Sequence, residues 1–214
     1  MREVEIRNSI DRPVRDIYGR FAGIVAAYTV EGPEGVKAIG VDSGDGRLRQ
    51  YSASRFIVGE AGLVLVPEWK LITDGIGKDT AAVRKRLEAL KELRDEGEVS
   101  PHICDELSNE YASKLKALED NHAQVSQYLR ERLSELDQEI ATLERFTLEV
   151  KIQHRSGEMD DEAYKRVAAN CGYLTTKNLQ EKGEIDRVLA AAVDQPAERA
   201  PLPDSQAPVP TETA

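Results

Sequence analysis

The sequence predicts an α+β chain in three parts. A small β-barrel head covers residues 1–70, a linker 71–78, a helical coiled coil 79–194, and a disordered Pro-rich tail 195–214. Three observations carry this reading. Nine of the 15 glycines and six of the aromatic residues fall within the first seventy positions, among short β-branched runs. No Gly or Pro then follows Pro101 until Gly157, a span worth roughly 84 Å of helix at 1.5 Å per residue. Finally, five of the nine prolines lie in the last twenty residues.

Composition narrows the class. The 214 residues carry 32% charged and only 5% aromatic side chains, with a net charge of −10, too polar a mix for one large core. The acidity is uneven. The first seventy residues hold ten basic and ten acidic side chains and are neutral, so the whole excess of negative charge falls on the rod and tail. The longest apolar run, Phe21 to Val30, is half the length of a membrane span, and Met1-Arg2-Glu3 opens without the apolar stretch of a signal peptide. Cys104 and Cys171 stand too far apart for a zinc motif and read as reduced thiols on helices.

In the head, Val4-Glu5-Ile6 alternates, and Ala22 to Val30 runs into the turn cluster Glu31-Gly32-Pro33-Glu34-Gly35. Val36 to Val41 follows, then the turn Asp42-Ser43-Gly44-Asp45-Gly46, then apolar runs near Leu48, Arg55 to Val58, and Leu63 to Val66. Short strands at this spacing predict a small all-β barrel or sheet roll.

Beyond Pro67 the period becomes helical. Asp79 or Thr80 is expected to cap a helix through Val83, Leu87, Leu90 and Leu93 that ends at Gly97. Ser100-Pro101 restarts the helix with Ser at the N-cap and Pro at the first position. Leu129, Leu133, Leu136, Ile140 and Leu143 recur at four and three residues, the heptad spacing, and predict a seam for pairing with a second copy. The run of fours from Ile103 to Leu115 is in another phase, so a stutter is expected between the halves. Gly157-Glu158-Met159-Asp160 repeats the grammar of Gly97-Glu98-Val99-Ser100, so hairpin turns are expected near 97–100 and 157–160.

Motifs that would imply catalysis fail on inspection. Gly75-Ile76-Gly77-Lys78-Asp79-Thr80 lacks the glycine spacing of a phosphate loop and puts Asp where Ser or Thr should follow Lys. Asp42 to Gly46 places glycines where a calcium loop needs acids. His102, His122 and His154 are scattered along one helix and read as isolated surface residues. An enzyme is not expected, and no cofactor or metal is called for. The head's Arg2, Arg7, Arg12, Arg15, Arg20, Arg47, Arg49 and Arg55 leave open an alternative, a nucleic-acid-associated protein in RNA or ribosome maturation or DNA binding. In the tail, Pro201-Leu202-Pro203 and Pro208-Val209-Pro210 each set one aliphatic knob between two prolines, a form that short-peptide grooves accept at low ordering cost.

Two resemblances rest on these residues. The stretch Val14-Arg15-Asp16-Ile17-Tyr18-Gly19-Arg20-Phe21-Ala22-Gly23-Ile24-Val25 resembles the opening of a PRC-barrel domain, with Leu63-Val64-Leu65-Val66-Pro67 as its last strand. The order of head, acidic coiled coil and Pro-rich tail resembles the archaeal cell division protein A family of the Cdv, ESCRT-related system. That resemblance implies a non-enzymatic, cytoplasmic scaffold of the cell cycle that forms homodimers and cytoskeleton-like filaments at the division site. It implies recruitment of an ESCRT-III-like subunit through the tail, with Pro201, Leu202, Pro203, Pro208, Val209 and Pro210 as the binding peptide, and association with DNA and the membrane face.

Overall fold

The structure, a computed structural model, describes residues 6–32, 35–59 and 62–193. The six tail residues named above lie outside the described residues, as does Arg2. In the head, β1 (Pro13–Asp16), β2 (Phe21–Glu31), β3 (Gly35–Asp42), β4 (Leu48–Ser52), β5 (Phe56–Gly59) and β6 (Gly62–Leu65) form one sheet in the order β4-β3-β2-β1-β6-β5. All neighbours are antiparallel except β1 and β6, which run parallel. Alternating residues of each strand turn inward, so Val14, Val25, Ile39, Val41, Leu63 and Leu65 share a buried core with Ile6 and Phe56. Two register shifts in β2, at Val25/Ala27 and Thr29/Val30, increase its twist and bend it across this core. Gly23 sits at φ +140°, and a Cβ there would lie 2.3 Å from the Asp42 carbonyl oxygen, so no other residue fits the crossing of β2 and β3.

The sheet is open, which corrects the expected PRC-like barrel. Closure would require a ladder between the edge strands β4 and β5, and no pairing joins them. A 3₁₀ turn at Ala53–Arg55 separates the two, and the Tyr51 and Phe56 rings meet edge to face at 6.1 Å on either side of it. Side chains therefore complete the core where hydrogen bonds would close a barrel. The Asp42–Gly46 segment is a hairpin turn: the Asp42 carboxylate accepts the Gly44 amide at 2.8 Å, and the Asp45 carboxylate accepts that of Arg47 at 3.1 Å.

Three helices follow: α1 (Glu68–Asp95), α2 (Pro101–Arg155) and α3 (Asp161–Val193). The expected linker at 71–78 is not a break. α1 begins at Glu68 and runs through Gly75, Gly77, Asp79 and Thr80 without interruption. Thr73, Ile76 and Thr80 share one half-buried face, so packing of that face outweighs the ~1 kcal/mol that each helical glycine costs relative to Ala. α1 ends with Gly97 at φ +73° and α2 with Gly157 at φ +81°. At both ends the next amide reaches back to close the final turn, Glu98 to the Leu93 carbonyl at 3.1 Å and Glu158 to that of Gln153 at 2.9 Å. Asp160 caps α3 by accepting the amides of Glu162 and Ala163. Ser100 stands at the N-cap of α2, but its hydroxyl makes no capping bond.

The 55 residues of α2 span roughly 82 Å and form the axis of the rod. α1 packs along its first half, where Arg94 pairs with Asp105 at 3.2 Å and Cys104 lies under Leu90. α3 returns along its second half, with His154 paired to Asp161 at 2.5 Å and stacked on Tyr164 at 4.4 Å. His154 is thus built into the hairpin and is not an isolated surface residue. The two flanking helices overlap near the middle of α2, and the head sits beside that overlap. Removing a helical glycine tests the continuity of α1. Gly75→Ala, whose new methyl would meet no atom within 4 Å, should raise the unfolding free energy by about 0.5–1 kcal/mol in urea titrations. A true linker at 71–78 would leave the midpoint unmoved.

Candidate functional site: a charged latch between head and rod

The most highly organised polar cluster lies where the head meets the overlap of the three helices. Its centre is Glu181 on α3, only 2% exposed. Four donors reach its carboxylate. Oε1 accepts Trp69 Nε1 at 3.1 Å and Arg132 Nε at 3.2 Å; Oε2 accepts Arg132 Nη2 at 3.1 Å and Arg20 Nη2 at 2.5 Å. A carboxylate offers about four acceptor sites, so this one is satisfied by the head, α1 and α2 at once. Arg132 approaches as a two-pronged fork, the geometry a guanidinium favours with a carboxylate.

Arg20 is held ready by its own turn. Asp16 accepts the Tyr18 amide at 3.0 Å, the Arg20 amide at 2.9 Å and Arg20 Nε at 2.6 Å. Gly19 at φ +92° lets the turn close tightly, and its carbonyl accepts the Tyr173 hydroxyl of α3 at 2.8 Å. Arg20 Nη1 donates to Asn178 Oδ1 at 2.8 Å, and Asn178 donates onward to Glu139 on α2 at 2.9 Å. Beside this network Tyr18 donates to Glu184 at 3.1 Å, and Glu184 also pairs with Lys70 at 2.7 Å. Lys182 pairs with Asp137 on the outer side of the α2–α3 contact. Beneath the charges lies an apolar floor of Tyr18, Trp69, Leu129, Leu136 and Ile185.

These surroundings set the ionisation. Burial pushes the Glu181 carboxyl up, but hydrogen bonds and charge from Arg132 and Arg20 outweigh it and hold the group below the usual carboxylate range. Burial likewise opposes the charge on Arg132, yet its bonds to Glu181 and Glu135 raise its affinity for the proton. The Tyr18 phenol is pushed well up, first by burial and then by Glu184. All three therefore keep one protonation state across neutral pH, and the site is built to hold charge rather than to exchange protons.

The seam residues fall here, against the chain's own helices. Leu129 and Leu136 are buried inside the chain, Leu133 packs partly against the same cluster, and Ile140 and Leu143 are half-buried. The stripe of least exposure on α2 continues through His122, Ser126, Arg132, Thr147 and His154, polar positions that break the apolar pattern and conceal its continuity from a reading of apolar spacing alone. On α3, Val167, Cys171, Asn178, Glu181, Ile185 and Val188 lie on one helical face, with Asn178 and Glu181 as polar members of a core row. Polar residues at apolar register were the available sign of the latch. Arg20 carried no such sign.

Several of the head's arginines are engaged within the chain, among them Arg20 in the latch, Arg15 on the Gly19 carbonyl, Arg49 on Asp45, and Arg55 on Glu68 with its guanidinium over the Tyr51 ring. Cys104 and Cys171 are buried, unbridged thiols. Among the described residues no group of three or more His, Cys, Asp or Glu could hold a metal ion, and no helix is long and apolar enough to cross a membrane.

A head latched to the middle of a long helical hairpin assembly defines a coiled-coil protein organised around rigid helices. The chain belongs to the family described as the CdvA-like coiled-coil domain, which matches residues 68–213. That match opens on Glu68, the first residue of α1, so the sheet lies outside it. The chain is also 28% identical over 156 residues to Cell division protein A of Sulfolobus acidocaldarius, a match spanning 73% of this chain and 65% of that relative. No solved structure matches.

The latch has a signed pH dependence. A carboxyl held below its unfolded value stabilises the fold above the ordinary carboxylate range, and that contribution is lost as pH falls through the depressed folded value. Glu181→Ala, which removes the acceptor shared by Arg20, Arg132 and Trp69, should cost about 3 kcal/mol at pH 7, the lower end for breaking a buried pair because Arg20 keeps Asp16 and Arg132 keeps Glu135. Its acid melting limb should also be flatter than that of the parent. Equal melting curves for the two proteins from pH 7 to pH 3 would show that the latch contributes nothing.

Proposed function

We propose that the chain is a non-enzymatic cell-division scaffold that self-assembles through its helices and recruits an ESCRT-III-like subunit through its Pro-rich tail. The observation that carries this reading is membership of the CdvA-like coiled-coil family over residues 68–213, a range that takes in both the helices and the tail. The name of the relative, Cell division protein A, supports the process. The physical character of the chain agrees with it: a long rigid helix axis, and charges locked in structural pairs instead of set in a cleft.

The structure changes where contact between copies is to be sought. Leu129 and Leu136 are committed to the chain's own core, so introducing charge there would loosen the latch before it reported on assembly. Farther along α2, Phe146, Leu148 and Ile152 are each more than half exposed. These are the residues of the same helix through which copies associate in this proposal. Phe146→Asp with Ile152→Asp should shift sedimentation from assembled species to single chains while leaving helicity intact; an unchanged sedimentation profile would place assembly elsewhere. Deleting residues 195–214 should abolish capture of the ESCRT-III-like partner and leave assembly in place. Undiminished capture by the shortened chain would rule out the tail as the recruiting element.

A further inference from the structure

The overlap of α1 and α3 leaves a groove that the latch does not use. Two hollows, about 340 and 230 Å³, share Thr73, Asp74 and Val188, and so adjoin as one groove that runs along α1 from Trp69 to Arg84 beside the last turns of α3. Its outer half is lined by Ile76, Gly77, Ala81, Val188 and Ala191, with His122 of α2 among them. Gly75 and Gly77 lie on this stretch of α1, and a Cβ at either would meet no atom within 4 Å. A helix that carries two glycines where side chains would fit gives up helix propensity and leaves space. The second observation is where the helix ends. Ala191 lines the groove, and the last described residue is Val193, so the chain leaves α3 beside it.

We propose that this groove is the docking site of the chain's own tail, with Leu202 of Pro201-Leu202-Pro203 seated in the hollow between α1 and α3. Length supports the match. Leu202 lies nine residues beyond Val193, and nine residues can span at most about 30 Å. The groove from Ala191 back to Glu184 covers seven helical residues, about 10 Å, well within that reach. Tethering so close gives an effective concentration in the range of ~1 mM, so even a shallow hollow can be filled from within the chain. A single aliphatic residue between prolines adds little ordering cost.

The consequence rests on the recruitment reading above: a docked tail is withheld from its partner. A tail docked nine-tenths of the time weakens the apparent affinity of any tail-binding partner about tenfold. Occupying the groove would then release the peptide, and the scaffold would recruit only when opened.

The test uses the full chain alone, so its failure is separable from failure of recruitment. Leu202 is replaced by the photo-crosslinker p-benzoylphenylalanine, and isotopically light and heavy chains are mixed before irradiation. Crosslinks are expected on peptides containing residues 73–84 or 188–191, within chains of one isotope. Filling the groove with Ala81→Trp, at an exposed helix position, should lower that yield at least tenfold. It should also speed tryptic cleavage after Arg199 about tenfold; if that variant loses helicity, Ala191→Trp serves the same purpose. Crosslinks elsewhere, crosslinks between isotopes, or groove variants that change neither yield nor cleavage would overturn the proposal.

Discussion

One buried carboxylate organises this protein. Glu181 can be ionised in the interior only because Arg20, Arg132 and Trp69 satisfy every acceptor position it offers. Each donor comes from a different segment, so the requirement acts as a geometric constraint on all of them. The head must place its β1–β2 turn against α3, α1 must enter with Trp69 facing inward, and α2 must present Arg132 at the same level. A buried ion pair is weak evidence for net stability, since hydrophobic residues of similar volume often do as well. What it enforces here is register: a sliding of α3 along α2 by one turn would leave a charge unpaired on each side.

That register explains the outline of the molecule. A head followed by a coiled coil would ordinarily be drawn with the head at one end. Because α1 starts beside the middle of α2 and runs back toward its N-terminus, the head is held partway along the rod, with a hairpin turn at either tip. Both tips use the same solution, a left-handed glycine that lets the chain reverse. The central position puts the sheet, the latch and the exit of α3 within one region, while the exposed Phe146, Leu148 and Ile152 of α2 lie toward one tip. The proposed docking of the tail and the proposed association between copies therefore fall on separate parts of the rod.

The titratable groups of the latch are each held in one state. Glu181 is held ionised and Tyr18 protonated, each by neighbours in fixed geometry. Catalytic carboxyls are usually tuned toward the working pH; the pairing at the latch moves Glu181 away from it. Acid should weaken the joint between head and rod before it unfolds the sheet, whose buried core of Ile6, Val14, Val25, Ile39, Val41, Phe56, Leu63 and Leu65 is apolar throughout.

Much of this was legible from residue order alone. Glycine at 97 and 157, the absence of helix breakers between Pro101 and Gly157, and the alternation of Ile39 and Val41 each state a local conformational preference, and local preferences act through neighbours in the chain. The heptad row at Leu129, Leu133 and Leu136 lies on a stripe that is buried or half-buried within the chain. Its partner could not be read from spacing, because a helix from the same chain and a helix from a second copy satisfy the same pattern. The helical course of Gly75 and Gly77 escaped for a related reason: propensity argued for a break, and packing of Thr73, Ile76 and Thr80 overrode it. Strand count and turn chemistry were evident, but closure of the sheet depended on whether β4 and β5 met, a contact between edges that no local signal encodes. The latch was the least visible of all. Asn178, Glu181 and Arg132 showed only as polar residues at apolar register, and their meaning awaited Arg20, brought from more than 150 residues away. The sequence by itself determined the elements and their ends, because helices and turns are governed by interactions across a few residues. Only the tertiary structure decided which elements share a core, because the desolvation of a charge is settled by everything that surrounds it.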